Sequence, residues 1–279
     1  MITRITANFK LLHMEISIKF AKNNFLMNRF SIDLMKNVSG ALKNLENAKG
    51  FKIGEKNNHH LLSEVDKYYS RVFKIQSSLT KTAEQLSQIR IFLNRYPFKK
   101  YYFKKGISQL EYIQYHTEVL FHKVHTVLEI MKLLINEVYQ LGIAPKDCSW
   151  VTLVKKIPLK SGPMKNLDHY FKTFEDLIDR RHSNTHRGYY KDQEKDDIDM
   201  KYGLAFYKLE MEGHRIDEEL KDNMPMPLIN YMLREHKKKR VELIDTCITE
   251  NEKLLTAFLE SLFDEYQKQI LHLSIVETQ

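Results

Sequence analysis

In the stretch LIDRRHSNTHRGYYKD, Leu177 to Asp192, five residues that hold or can acquire positive charge crowd into eight positions: Arg180, Arg181, His182, His186 and Arg187. Imidazole titrates near neutral pH, which makes His a natural general acid or base. A guanidinium is always charged and grips phosphate with paired N–H donors. Together they suit chemistry in which a proton moves while negative charge builds on an anionic ester. The four-residue spacing of His182 and His186 also suits two zinc ligands on one helix face. The zincin form HExxH, however, needs Glu where this chain has Ser183. Arg181 and Arg187 would repel a cation, and the other histidines of note, His116, His122 and His125, lie on a different helix. Neither a metal nor a cofactor is expected.

The preceding element decides which of these charges points where. A helix starting at Ser161-Gly162-Pro163 runs straight into the motif, with Leu167, Phe171, Phe174 and Ile178 on one face. At roughly 100° per residue, Arg181 falls on that packed face and Arg180 almost opposite, toward solvent. A guanidinium beside a core needs a partner, because burying it unpaired is costly. On residue types alone, that partner is either an acid on a neighbouring helix or a ligand. His186 could likewise be a helix-end cap.

Elsewhere the pattern is helical throughout. Phe30, Leu34, Val38, Leu42 and Leu45 predict a helix over Phe25 to Ala48, broken by Gly50 and Gly54. Val65, Tyr68, Val72, Ile75, Leu79, Thr82, Leu86, Ile89 and Leu93 alternate spacings of three and four. That repeat predicts a long helix from Leu61 to Leu93, lying along another. Its partner runs from about Ser108 to Leu141, so the two form an antiparallel hairpin. The turn between them is RYPFKKYYFKKG. A short helix over Asp147 to Ile157, an acidic loop over Asp192 to Asp199 and a helix over Tyr202 to Leu220 follow. A linker, Asn223 to Pro227, then leads into a last long helix from Leu228 to about Leu271. Met1 to Lys22 shows no clear periodicity. The fold class expected is all-α, a bundle of long helices with an N-terminal helical extension. The domain division expected is a basic extension or hairpin over 1–106 and a helical bundle over 107–279.

Nine Gly and six Pro in 279 residues exclude a turn-dense all-β fold. Two cysteines, Cys148 and Cys247, exclude a disulfide framework, and neither lies in a CxxC pair. No apolar run reaches the length of a membrane span, and no secretory leader is visible. A cytoplasmic protein without membrane contact is expected. Residues 1–110 carry 20 Lys/Arg against 7 Asp/Glu, while residues 111–279 carry 24 against 29. Such asymmetry points the N-terminal half at a polyanion. The hairpin turn offers the means, since Arg95, Lys99, Lys100, Lys104 and Lys105 interleave with Tyr101, Tyr102 and other aromatics. Bases stack on rings while cations meet phosphates. Packing of the same rings against the bundle is the competing reading. Lys237 to Arg240 reads as a solvated helix face.

Arg181-His182-Ser183-Asn184-Thr185-His186 has the form R, polar residue, three residues, H, after an amphipathic helix and before Arg187-Gly188-Tyr189. It resembles the Rx4–6H motif of the HEPN superfamily, whose members are all-helical. The resemblance covers Ile107 to about Leu271. It implies a metal-independent endoribonuclease, acting in toxin or antiviral systems, that cleaves RNA by attack of its own 2′-hydroxyl. Arg181 would then clamp the phosphate and His186 serve as acid or base. His182 would orient the phosphate or share the proton, with Arg180 and Arg187 alongside as RNA contacts. Single-stranded RNA is the implied substrate. The resemblance also implies a homodimer with a composite active site, and an antitoxin or other regulator. Some family toxins carry a modifiable Tyr two positions after the His; here that position is Gly188. The alternative is a non-catalytic helical module that binds RNA or a protein partner.

Overall fold

Few helix breakers and apolar spacings of three and four leave the backbone one economical way to satisfy its hydrogen bonds. In the computed structural model, every regular element among the described residues is helical. The structure describes residues 24–52, 58–95, 99–187, 192–201, 203–211, 213–223 and 225–277; inside its helices, the side chains at 24, 99, 100, 103, 184, 186, 187, 211, 220 and 277 are outside the description. The readings of Met1 to Lys22 and of Tyr96 to Phe98 fall outside the described residues.

α1 (Arg29–Asn47) starts at a built cap, where Asn28 Oδ1 accepts from Ser31 N at 2.9 Å. α2 (Glu64–Asn94) follows. Eight of its expected seam residues, Val65, Tyr68, Val72, Leu79, Thr82, Leu86, Ile89 and Leu93, are buried, and Ile75 is half-buried. Thr82 satisfies its hydroxyl locally, donating to Ser78 O at 2.9 Å, so the polar interruption leaves no unpaired group. α3 (Lys99–Lys104) is a short helix, α4 (Gln109–Val138) the second long one, and α5 (Trp150–Val154) carries the only Trp. Then come α6 (Gly162–Thr173), α7 (Glu175–Arg187), α8 (Gln193–Asp196), a π-helical turn over Asp197–Lys201, α9 (Leu204–Met211), α10 (Glu218–Asn223) and α11 (Met226–Glu277). No helix among the described residues is long and apolar enough to cross a membrane.

The chain divides into two compact units. The first comprises Met1–Glu84, Thr126–Thr173 and Glu250–Gln279. Its core is aromatic: Tyr266 meets Phe30 edge-on, 5.1 Å between ring centroids, and stacks on Tyr68 at 5.8 Å. The Tyr68 hydroxyl donates to Val138 O at 3.0 Å, and Arg71 pairs with Glu137 at 2.6 Å. Tyr170 and Asn251 are both buried, and the Tyr170 hydroxyl donates to Asn251 Oδ1 at 2.9 Å. Asn251→Leu leaves that hydroxyl without its acceptor. The expected cost is about 1–3 kcal/mol, read as a lower denaturant midpoint. Adding Tyr170→Phe should return much of the loss, because both polar groups are then gone.

The second unit comprises Gln85–His125 and Phe174–Thr249. Leu110 of α4, Ile198 of the π turn, Leu204 of α9, and Ile229 and Leu233 of α11 form an apolar cluster here, with Tyr207 and Met232 against it. Around it Lys208 Nζ lies 3.0 Å from Glu111 Oε1 and 3.5 Å from Asp199 Oδ1. Arg90 forms an ion pair with Asp245.

Several expectations change. The helix from Ser161 is two helices, α6 and α7, interrupted at Phe174, whose carbonyl accepts from both Leu177 N and Ile178 N. Phe171 is exposed and Tyr170 is buried instead, since the buried residues Met164, Leu167 and Tyr170 of α6 recur every three positions. The acidic segment from Asp192 is no loop: Asp192 Oδ1 accepts from Lys195 N at 3.2 Å and caps α8. The helix expected over Tyr202 to Leu220 is split into α9 and α10, and Gly213 between them has φ +95°. α11 begins inside the expected linker, with Pro227 in its first turn, where a missing N–H is no loss.

Candidate active site

The motif helix α7 starts with Glu175 and Asp176, acids in a first turn where the dipole favours them. Phe174, Leu177 and Ile178 are buried, and Arg181 continues that face one turn further. Arg181 is half-buried. Its Nε is shielded from solvent and has no hydrogen-bond partner. Its Nη1 lies 3.3 Å from His182 Nδ1. A guanidinium only donates, so this contact requires the His182 proton to sit on Nε2. Among the described residues no carboxylate pairs with Arg181. A buried guanidinium N–H without an acceptor is costly, and an anionic oxygen is its best acceptor.

His182 is exposed and meets a residue from outside the motif. The His125 ring of α4 lies edge-on to it, 5.4 Å between centroids and 86° between planes. One turn earlier on α4, Phe121 lies beneath Arg180, whose guanidinium carbon is 5.9 Å from the ring centroid. Arg180 is therefore half-buried over an aromatic face and not directed to solvent as the wheel predicted. The missed signal was the four-residue spacing of Phe121 and His125, which puts both on one face of α4. His186 and Arg187 continue the α7 backbone, with side chains outside the described set.

Beyond α7 the chain is fastened to α11. Asp192 is buried, and its Oδ2 accepts from Arg240 Nη2 at 2.6 Å. Glu194 Oε1 accepts from Lys239 Nζ at 2.8 Å, and its Oε2 lies 3.2 Å from Nδ1 of the fully buried His236. His236, Lys239 and Arg240 share a face of α11 by their spacing of three and four. The solvated face expected over Lys237 to Arg240 holds for Lys238 and Lys239, which are exposed, but Arg240 is a half-buried partner of Asp192, and Lys237 donates to Asn94 O at 3.0 Å. Burial pushes the His236 imidazole below its ordinary range, and the nearby Arg240 pushes it further. Burial alone would raise the Glu194 carboxyl, but hydrogen bonds from Lys239 and His236 hold it below the usual value.

The basic residues of the hairpin turn lie apart from α7 in sequence. Arg95, Lys104 and Lys105 are exposed, as is Tyr101, while Tyr102 is half-buried; Lys99 and Lys100 open α3 with side chains outside the description. Among the described residues no group of three His, Cys, Asp or Glu side chains could hold a metal ion.

No curated protein and no solved structure matches the chain. The sequence model of one family does: the Cthe2314-like HEPN family matches residues 65–258, about seven-tenths of the chain. The match starts within α2, ends within α11 and takes in the whole of α7. Its extent, the all-helical architecture and the Arg181-to-His186 motif agree: this chain belongs to the HEPN family.

Proposed function

We propose that the chain is a metal-independent endoribonuclease that cuts single-stranded RNA by attack of the 2′-hydroxyl on the adjacent phosphate. One observation carries the reading: Arg181 sits half-buried on the packed face of α7, with a shielded Nε that nothing in the described chain accepts from. A structural arginine in that position would have a carboxylate. An arginine that waits for a phosphate would not.

In the proposed reaction the 2′-oxygen forms a bond to phosphorus as the bond to the 5′-oxygen breaks. A base takes the 2′-proton and an acid supplies one to the departing 5′-oxygen. Arg181 meets the charge that builds on the non-bridging oxygens. His186 transfers protons, and His182, its Nδ1 engaged by Arg181, keeps Nε2–H to donate to the phosphate. Arg180 and Arg187 add phosphate contacts. One His186 cannot be base and acid at opposite sides of phosphorus in one step. A homodimer with the two motifs facing each other across its axis supplies the second. The protein then needs restraint in its cell, which an antitoxin or other regulator would provide.

The test is incubation of the purified protein with single-stranded RNA in excess EDTA. The expected products end in 2′,3′-cyclic phosphate and 5′-hydroxyl, and DNA of the same sequence, lacking the nucleophile, stays intact. RNA that is bound in a salt-sensitive way but never cut would identify a non-catalytic RNA-binding module instead.

A further inference from the structure

Within the second unit, six rings form one continuous array. Phe92 of α2 stacks on His116 of α4, 5.4 Å between centroids and 25° between planes. His116 is met edge-on by Tyr112 at 4.5 Å and by Tyr115 at 5.3 Å. Tyr112 reaches Tyr102 at 5.7 Å, and Tyr102 reaches Tyr101 at 5.8 Å. An array built to stabilise the fold would hide its outer rings. Here Phe92 is 49 % exposed, Tyr101 61 % and Tyr115 64 %, with Ile91 beside Phe92 at 61 %. Burial lowers the His116 pKa, so its ring is neutral at physiological pH and behaves as one more stacking face.

The charge around the array is mostly positive. Between Gln85 and Glu118 the chain carries Arg90, Arg95, Lys99, Lys100, Lys104 and Lys105 against two acids, Glu111 and Glu118, and Arg90 is paired with Asp245. Glu111 is already engaged, accepting from Ser108 N at 2.6 Å and Lys208 Nζ at 3.0 Å. Arg95, Lys104 and Lys105 are exposed. Apolar protein partners need no such charge, and double-stranded nucleic acid keeps its bases stacked on each other. Exposed rings bordered by cations match unpaired bases on a phosphate backbone.

We infer that Phe92, Tyr101 and Tyr115, with the rings between them, form a stacking platform for single-stranded RNA, bordered by Arg95, Lys104 and Lys105. The choice of RNA over DNA rests on the reading of the chain as a ribonuclease; the platform itself does not need catalysis. Binding is therefore measured on full-length His186→Ala protein with a fluorescent oligouridylate of twelve nucleotides. On that background, Tyr101→Ala with Tyr115→Ala is expected to weaken binding by about tenfold or more, the scale of base–aromatic stacking. Tyr101→Phe with Tyr115→Phe keeps the rings and should bind as the parent does. Lys104→Gln with Lys105→Gln should weaken binding and flatten its salt dependence. Both tyrosines are exposed, so circular dichroism melting should be unchanged in the alanine variant. Parent-like binding by the alanine pair overturns the inference, and so does a parent that binds no oligouridylate. Loss of binding in the phenylalanine pair would overturn it too, since hydroxyl contacts and not stacking would then be at work. None of these readings depends on whether the wild-type protein cuts RNA.

Discussion

His186→Ala is expected to lower the rate of RNA cleavage by about 10²–10⁴-fold, the usual contribution of a positioned acid or base. Arg181→Ala should lower it by about 10²–10³-fold, the scale of losing one preorganised donor at the reacting centre. The two losses should not multiply in the double variant, because groups that act on one phosphate fail as a unit. Arg181→Lys separates the roles further. It keeps the charge but loses the planar fork, so it should recover only a small part of the activity. The composite site gives a sharper measurement. Mixing wild-type protomers with His186→Ala protomers yields mixed dimers whose cleft holds only one intact histidine. If the cleft needs both histidines, activity should fall as the square of the wild-type fraction. If each protomer works by itself, it should fall in direct proportion. Wild-type rates from the His186→Ala protein would end the catalytic reading outright.

Much of the fold was legible because it rests on one strong regularity. The three-and-four spacing from Val65 to Leu93 marks residues that are all buried or half-buried in α2. The apolar residues of α4, Leu110, Ile113, Val119, Leu120, Val124, Val127, Met131, Leu134 and Val138, are likewise buried or half-buried. A long amphipathic helix has one face to hide, and the pattern names it. What failed were interruptions and short elements, which depend on individual hydrogen bonds. The break at Phe174 has no Gly or Pro to announce it. Asp192 looked like one more acid in a charge run, yet its side chain caps α8. Local capping of this kind is decided by which backbone N–H a carboxylate happens to reach.

On the motif helix spacing was legible only in part. Arg181 continues the face of Phe174 and Ile178, but Arg180 is half-buried as well, against the separation that the wheel predicts. Residues from other elements were not legible. His125 and Phe121 come to α7 through the packing of α4, more than fifty residues earlier in sequence. Arg240 was misread for a related reason. A cation within the run Lys237 to Arg240 looks solvated until the fold brings a carboxylate to it, and Asp192 is 48 residues away.

That pairing of Asp192 with Arg240 carries the second large prediction. The side chains are 6 % and 13 % exposed, so removing one partner strands the other's charge away from water. Arg240→Ala should therefore cost about 3–5 kcal/mol in unfolding free energy. Asp192→Ala should cost less through the pair, because Arg240 keeps Glu194 at 3.8 Å, but it also loses the α8 cap. Replacing both with apolar residues should recover most of the loss, since the expense lies in the orphaned charge and not in the missing bond. Acid should act on the same cluster. The folded pKa of His236 lies below its ordinary 6.5, so its contribution is complete above that pH. As pH falls through 6.5 the unfolded chain gains a proton that the folded chain resists, and stability drops. Glu194, whose folded pKa is below its ordinary 4.5, contributes above that value and is lost only at lower pH. Unfolding free energy measured at pH 7.5 and 5.5 should thus fall on acidification, and His236→Gln should flatten that slope. Because Asp192 follows the motif helix so closely, loosening it should also free the end of α7. A melting midpoint for Arg240→Ala equal to the parent's would show that the pair holds nothing in place.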